Sequence, residues 1–141
     1  MRAAGTALLC TLGLGSIAPP AAAEAARILY MLECQGCHRP DGSGWPGAVP
    51  SLRNSIGRFL TVPGGREFLV RVPGSAQSPL SDAELAEVLN WMIRSFGPEP
   101  IAARFEPYRA EEVQRYRRSP LTDVESVRRT LLEQMRTEGD G

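Results

Sequence analysis

The sequence of 141 residues contains no lysine and a single histidine, His38. Its positive charge comes from arginine alone, with 16 basic residues against 16 acidic ones. This balance provides no basic field for nucleic acid, so we expect no nucleic-acid partner. A lone histidine also leaves no second imidazole for acid–base catalysis, and no nucleophile–base–orienter set is visible. The sequence therefore does not indicate an enzyme.

Long apolar runs are absent as well. The stretch at residues 7–14 is too short to cross a bilayer, and no later stretch reaches the length of about 18 residues that a membrane span needs. The short run follows the positive Arg2 and precedes Ala21-Ala22-Ala23, an Ala-x-Ala cleavage site. We therefore predict that residues 1–23 are a secretory signal peptide and that Glu24 begins a mature chain without a transmembrane segment.

Cysteine is scarce, and each of the three residues has a distinct context. Cys10 lies in the predicted signal peptide. Lipid acylation of Cys10 is the less favoured alternative, because a small residue is expected before an acylated cysteine and Leu9 occupies that position. Cys34 and Cys37 are followed directly by His38 in a Cys-x-x-Cys-His pattern, which is typical of covalent attachment of c-type haem. The single motif predicts one haem and an export route, because such haem is attached outside the bacterial cytoplasm.

The chemistry of the motif explains its spacing. Residues three apart lie on one face of a helix, so Cys34 and Cys37 can bind the two vinyl groups of one porphyrin. His38 then supplies the proximal imidazole to the iron. A zinc site would need four ligands, a thioredoxin-like pair would need a βαβ context, and a Cys34–Cys37 disulfide would leave His38 unexplained. These alternatives fit the sequence less well than haem does.

A helix is predicted over residues 25–37, with Tyr30 on the same face as the cysteines. The Tyr30 ring would lie beside the haem pocket or against a second helix. Residues 38–50 contain three Gly and three Pro, which predicts a loop. A later apolar run at 68–72 is rich in β-branched residues and is compatible with either a strand or a helical turn.

The loop carries the first resemblance to a known family. Its Pro-Asp-Gly-x-Gly order after the haem motif resembles the class I c-type cytochromes. The resemblance implies that the carbonyl of Pro50 accepts a hydrogen bond from the proximal imidazole and that Leu52 packs against the ring. Such an acceptor fixes the tautomer and orientation of a ligating histidine. We also place Trp45 of this loop, together with Arg53, in the haem pocket.

Arginine can pair bidentately with the haem propionates. Arg53 and Arg58 are the candidates, in or beside a short helix formed by Ile56, Phe59 and Leu60. The alternative for each arginine is a solvated surface charge.

The strongest helix prediction begins at residue 81. Ser81 and Glu84 form a capping box ahead of an apolar run that ends at Gly97-Pro98. The apolar stripe consists of Leu85, Leu89, Met92 and Phe96. This segment resembles the last helix of class I cytochromes, which implies that Trp91 packs across the first helix. The resemblance covers about residues 25–97.

The predicted fold class is therefore all-α: a small cytochrome c fold at residues 24–98, with a C-terminal helical extension at 99–141. Within the extension, helices are predicted at 110–118 and 122–136, the second with a capping box of Thr122 and Glu125. We expect this helical arm to pack on the core or on a partner. A solvated tail with weak helices is the alternative.

The resemblance fails at the sixth iron ligand. Class I cytochromes usually carry an axial Met in the loop before the last helix, but residues 71–80 contain none. Met92 or Gln77 could occupy the sixth position. The alternative for Met92 is apolar packing, which leaves the position open or weakly occupied.

These features predict a periplasmic monohaem cytochrome with haem c, which carries single electrons from a dehydrogenase to an oxidase or another cytochrome. One alternative is a fixed haem subunit of a dehydrogenase complex, tethered by the extension. Another is a haem enzyme or sensor that uses an open sixth position. A peroxidase-like reaction would normally need a distal acid–base group, and only Arg and Gln are candidates.

Overall fold

A computed structural model describes residues 21–139, so most of the predicted signal peptide lies outside the described part. These residues form helices, and the only β pairing among them is an isolated bridge between Trp45 and Val49. The predicted all-α class is confirmed. The elements are α1 (Ala21–Glu33), α2 (Gln35–His38), a 3₁₀ helix (Ile56–Thr61), α3 (Gly65–Arg71), α4 (Pro73–Ala76), α5 (Asp82–Phe96), α6 (Glu99–Ala102), α7 (Ala110–Arg117) and α8 (Val124–Gly139). Within residues 21–139, no helix is both long and apolar enough to cross a membrane.

The crossing of α1 and α5 is built around Tyr30. Its side chain is only 1% exposed, and its ring centroid lies 5.1 Å from that of Trp91 and 5.4 Å from that of Phe96. Aromatic pairs at such separations contribute beyond their buried area. Of the two placements predicted for Tyr30, the structure shows the one against the second helix. Trp91 packs across the first helix, as expected.

The ends of α5 follow from local sequence. The Ser81 hydroxyl accepts from the backbone N–H of Glu84, and the Glu84 carboxylate accepts from the backbone N–H of Ser81, which completes the capping box. The helix ends at Phe96, and Gly97 donates its N–H to the Ile93 carbonyl. The predicted apolar stripe is buried.

The apolar run at 68–72 belongs mainly to a helix, α3, because tertiary packing overrides its β-branched composition. The Phe68 ring stacks on Phe59 of the 3₁₀ helix with centroids 4.9 Å apart. Gly64 has a φ of 81°, and a β-carbon at Gly65 would collide with the carbonyl of Phe59. The two glycines therefore let α3 approach the 3₁₀ helix closely.

Residues 99–139 pack on the same core as the rest of the chain. Tyr108, Val113, Leu131 and Met135 are all buried in one cluster with residues of α3 and α5. The alternative of a solvated tail is therefore wrong for the described residues. The division into a domain at 24–98 and an extension at 99–141 stays a prediction.

Polar contacts reinforce this packing. The Arg66 guanidinium pairs with Glu112 at 2.8 Å, and the Tyr108 hydroxyl donates to the Arg66 carbonyl at 2.9 Å. The Asn90 side chain accepts from the Tyr108 N–H at 2.7 Å and donates to the Tyr108 carbonyl at 3.0 Å. Helix α8 begins two residues later than predicted, and Asp123 rather than Thr122 accepts from the first turn, at the Ser126 N–H.

Candidate haem site

An apolar cavity of about 260 Å³ lies beside the Cys-x-x-Cys-His segment. Its walls come from α2, the 3₁₀ helix, the α3–α5 region and α8. The lining side chains used below are Cys34, Cys37, His38, Pro50, Leu52, Phe68, Leu69, Val88, Leu89, Met92, Val124 and Arg128. Concave sites with mostly apolar walls and a few placed polar groups are typical of cofactor pockets.

The attachment segment turns rather than continuing the first helix. Helix α1 ends at Glu33, Cys34 adopts φ −122° and ψ −31°, and α2 follows from Gln35 to His38. The predicted single helix over 25–37 is therefore interrupted at Cys34. Cys34 is half-buried, Cys37 is exposed, and neither is in a disulfide. Burial, reinforced by Glu33 and Cys37, raises the pKa of the Cys34 thiol to about 11.

Tyr30 fixes the backbone immediately after the motif. Its hydroxyl donates to the carbonyl of Arg39 at 2.6 Å and approaches that of His38 at 3.2 Å. Burial is the largest cause that raises the pKa of Tyr30 to about 12, so the phenol stays protonated at neutral pH. The buried aromatic of the α1–α5 crossing thus also positions the chain that carries His38.

His38 lies at the cavity edge in a form suited to a metal ligand. Burial lowers its pKa, and the Pro50 backbone acts in the opposite direction, as the smaller cause. Neutral imidazole is the form that binds metals, and lowering the pKa favours it. Nδ1 is buried and makes no hydrogen bond of ordinary geometry with any described residue. The structure therefore brings Pro50 to His38 without completing the expected bond.

Gly44 allows residues 49 and 50 to approach His38. Its φ is 64°, a left-handed value that favours glycine. A β-carbon there would overlap the Val49 carbonyl and lie 2.7 Å from the Pro50 carbonyl oxygen. The Gly-rich loop thus has a specific steric role, which is to let the backbone of residues 49 and 50 pass close to Gly44 and bring Pro50 near His38.

Three of the predicted pocket residues, Trp45, Arg53 and Arg58, do not line the cavity. Trp45 is 49% exposed, and the Arg39 guanidinium lies 3.8 Å from its ring centroid, so a cation–π contact keeps it outside the cavity lining. Arg53 pairs with Asp41 at 3.1 Å on the surface. Neither side chain lines the cavity.

The outer groove is a shallow depression between the 3₁₀ helix and α8 that adjoins the cavity. The exposed Arg58 lines this groove instead of the cavity. Ser55, Phe59 and Arg128 border both spaces, so the two lie side by side.

The two candidates for the sixth position occupy different places. Met92 lines the cavity and is 7% exposed, within the buried stripe of α5. Gln77 is exposed at the end of α4 and does not line the cavity. Leu52 is part of the lining, and its packing against a haem ring stays a prediction.

Arg117 ties the C-terminal segment to the loop before α5. Its guanidinium donates to the carbonyls of Ser78 and Leu80, each at 2.7 Å, and to the Asp82 carboxylate at 3.0 Å. A further bond reaches the Ala76 carbonyl at 3.3 Å. The loop in which class I cytochromes usually carry their axial Met is therefore fixed here by a residue from outside the predicted cytochrome domain.

Sequence reasoning missed the part of the cavity wall that α8 contributes, namely Val124 and Arg128. A helix over this part of the chain was predicted from the sequence, but nothing local showed which surface it covers. These two residues are one helical turn apart and therefore lie on one face. The C-terminal segment thus contributes directly to the candidate site.

The donor set fits a covalently attached haem. Two thiols and a mainly neutral imidazole lie at the edge of one apolar cavity, as attachment and proximal ligation require. Among the described residues, no cluster of three or more His, Cys, Asp or Glu forms an alternative metal site. The geometry is consistent with the motif and offers no support for zinc.

Comparison with known proteins agrees with this assignment. No protein-family model matches the chain. A cytochrome c-552 of Thermus thermophilus is 35% identical in an alignment 133 positions long, and the match covers 82% of this chain and 88% of that protein. Another cytochrome c-552 of the same species is 34% identical in an alignment 108 positions long, and the match covers 64% of this chain and 82% of the relative.

The longer match extends into the C-terminal segment. Its 82% of 141 residues is about 116 residues, more than residues 1–98 can supply. Similarity therefore reaches beyond the predicted cytochrome domain into residues 99–141. With this coverage and identity added to the attachment geometry, the chain belongs to the c-type cytochromes.

Proposed function

We propose that this monohaem electron-transfer protein attaches its haem c through the thiols of Cys34 and Cys37 and ligates the iron through His38. The observation that carries the proposal is the position of these three side chains at the edge of one apolar cavity. When bound, the haem supplies the one-electron chemistry, and the protein sets its ligation, burial and docking. The protein is accordingly an electron carrier rather than an enzyme.

The surrounding residues have defined parts in this proposal. Pro50 accepts from the imidazole once the ligand ring is fixed, and Leu52 packs against the cofactor. Tyr30 positions the backbone that follows the motif through its bond to the Arg39 carbonyl. Such outer contacts orient a ligating histidine and increase its basicity.

Haem attachment is tested by denaturing the purified protein and measuring its mass and visible absorbance. We expect one haem to remain on the polypeptide, and Cys34→Ala or Cys37→Ala to reduce its covalent yield. Ser43→Ala, which changes a loop residue outside the cavity lining, is the control and should load normally. Complete extraction of haem from the wild type by acid and organic solvent would refute the assignment.

We further propose that the chain acts in the bacterial periplasm, after removal of residues 1–23. There it would accept electrons from a dehydrogenase and pass them to an oxidase or another cytochrome. The Ala-x-Ala site and the need to attach haem outside the cytoplasm support this location. The N-terminal sequence of the mature protein, expected to begin at Glu24, tests it.

The role as a fixed subunit of a dehydrogenase complex has less support. That role needs the 99–141 segment for a partner, whereas its buried residues Tyr108, Val113, Leu131 and Met135 pack on the chain's own core. We expect the holoprotein to elute as a single chain in size-exclusion chromatography with a candidate dehydrogenase at moderate salt. Stable co-elution would favour the subunit role.

A second candidate function, binding of a small ligand at the iron, is favoured by the sixth position. The loop at 72–80 has no Met, Gln77 is exposed outside the cavity, and Met92 is embedded in a continuous helix. We propose that no strong protein ligand occupies the sixth side. The distal surroundings then decide small-ligand binding. Carbon monoxide binding to the reduced protein tests this candidate.

A further inference from the structure

Arg128 is the only cationic side chain in the cavity lining provided by the described residues. Glu33 is the other charged group there, and the remaining lining consists of apolar side chains, serines and the attachment motif. A cation placed against an apolar cavity is costly unless an anion compensates it. Arg128 therefore places a half-buried positive charge on the side of the lining contributed by α8.

The guanidinium of Arg128 makes no ion pair with any carboxylate of residues 21–137. Its neighbour Arg129 pairs with Glu125 at 3.8 Å, and Arg136 pairs with Glu133 at 3.8 Å, so the acids on this stretch of α8 have other partners. The other half-buried arginines all have contacts on the protein. Arg66 and Arg117 pair with carboxylates, Arg71 donates to a carbonyl, and Arg39 stacks on Trp45. Arg128 is thus distinct among them.

The two arginines first considered for the haem carboxylates do not line the cavity. Arg53 is engaged by Asp41, and Arg58 is exposed in the outer groove. Arg128 borders both the cavity and this groove, together with Ser55. A carboxylate where the cavity adjoins the groove would meet the half-buried guanidinium of Arg128, and Arg58 lines the groove.

We propose that α8 completes the haem site and that Arg128 binds a haem propionate, with Val124 covering the adjacent cofactor edge. The propionates are the anionic substituents of haem, and a guanidinium matches a carboxylate with two parallel hydrogen bonds. The inference rests on the proposed attachment at Cys34 and Cys37. It changes the role of the C-terminal segment from an attached arm to a part of the cofactor site.

The charge arrangement predicts an effect on redox equilibrium. Oxidation of the iron adds a positive charge, and an uncompensated propionate stabilises the oxidised state. A guanidinium on that propionate removes this stabilisation, so loss of Arg128 should lower the midpoint potential. A charge lost elsewhere on α8 should have a smaller effect, because solvent and salt screen exposed groups.

The test compares the holoproteins carrying Arg128→Gln and Arg129→Gln. Both lose one positive charge at adjacent positions, but Arg129 is exposed and borders only the outer groove. We expect Arg128→Gln to lower the midpoint potential more than Arg129→Gln does and to shift the propionate bands in the resonance Raman spectrum. Arg128→Lys should restore part of the potential, because it keeps the charge but not the paired geometry.

Equal potentials and unchanged propionate bands in the two glutamine variants would overturn the role of Arg128. If Arg128→Gln loads haem poorly, the bands and potential of its haem-bearing fraction decide, and wild-type values there would also overturn it. These outcomes differ from failure of the proposed function. Wild-type protein without covalent haem would refute the attachment itself, whereas normally attached haem with unchanged properties would refute only the contact with α8.

Discussion

The substitution Met92→Leu tests whether the iron has a strong sixth ligand from the protein. Met92 is 7% exposed, lies within the core and also lines the haem cavity. It is in α5, which is continuous from Asp82 to Phe96. A side chain within a helix follows the direction of its packing stripe and lacks the freedom that a loop gives a ligand.

The expected energetic cost is small. Leucine nearly conserves the volume of methionine, and such swaps in a core usually cost less than about 1.5 kcal/mol. Met92→Ala instead removes most of a buried side chain and should cost about 2–5 kcal/mol. If packing is the role of Met92, leucine should retain most of the stability that alanine loses.

The assay combines chemical denaturation with visible spectra of both redox states. We expect the Met92→Leu spectra to match the wild type and the reduced wild type to bind carbon monoxide readily. A Met–iron charge-transfer band in the oxidised wild type, absent from Met92→Leu, would contradict this reasoning. So would a reduced wild type that does not react with carbon monoxide, and an ordinary Met/His cytochrome would then be the correct description.

Three further predictions concern the contacts that position the site. Tyr30→Phe removes one donor to the Arg39 carbonyl and should lower the free energy of unfolding by about 0.5–1.5 kcal/mol in urea denaturation, because one buried hydrogen bond is lost while the Gly42 N–H still donates to the same carbonyl. Arg117→Ala should lower the free energy of unfolding by about 1.5–3 kcal/mol, because its charge-assisted bonds are lost. Replacement of the exposed neighbour, Arg118→Ala, should change it by under about 0.5 kcal/mol, and equal thermal midpoints of the two variants would contradict this contrast. Ser81→Ala should cost about 0.5–2 kcal/mol through loss of the cap. The bonds to Ser81 lower the pKa of Glu84 in the folded protein, so the stabilisation that comes from the Glu84 carboxylate is complete above its unfolded pKa and is lost as the pH falls through its folded pKa. A destabilisation by Ser81→Ala that does not change with pH would argue against a contribution from Glu84.

Features encoded by neighbouring residues could be predicted from the sequence. The capping box and the Gly97 stop are local sequence signals that define α5, and the motif at 34–38 predicts the attachment chemistry. Helical spacing alone continues the first helix through Cys34, and it does not show that the Tyr30 hydroxyl bonds to carbonyls eight and nine residues further along the chain. The segment at 68–72 was undecided because its composition suits strands, while packing on Phe59 selects a helix.

The charged residues of the site depended on contacts between distant segments. Arg53 suited the cofactor by its position in the sequence, but its carboxylate partner lies twelve residues earlier in the chain. Arg128 could not be identified because only the folded structure places α8 beside the haem motif. Charge type and helical face are visible in a sequence, whereas the partner of a given guanidinium depends on tertiary structure.

The docking of residues 99–139 also has a consequence for the order of folding. The Arg66–Glu112 pair joins residues 46 apart, and Arg71 donates to the carbonyl of Ser119, 48 residues away. Long-range contacts of this kind slow folding relative to ordinary helical proteins, because the intervening chain must first be closed into loops. Until the last third of the chain has been made, α3 and α5 lack the partners that bury their outer apolar faces. Completion of the native core, and of the cavity wall on the α8 side, is therefore a late event that follows synthesis of the C-terminal segment.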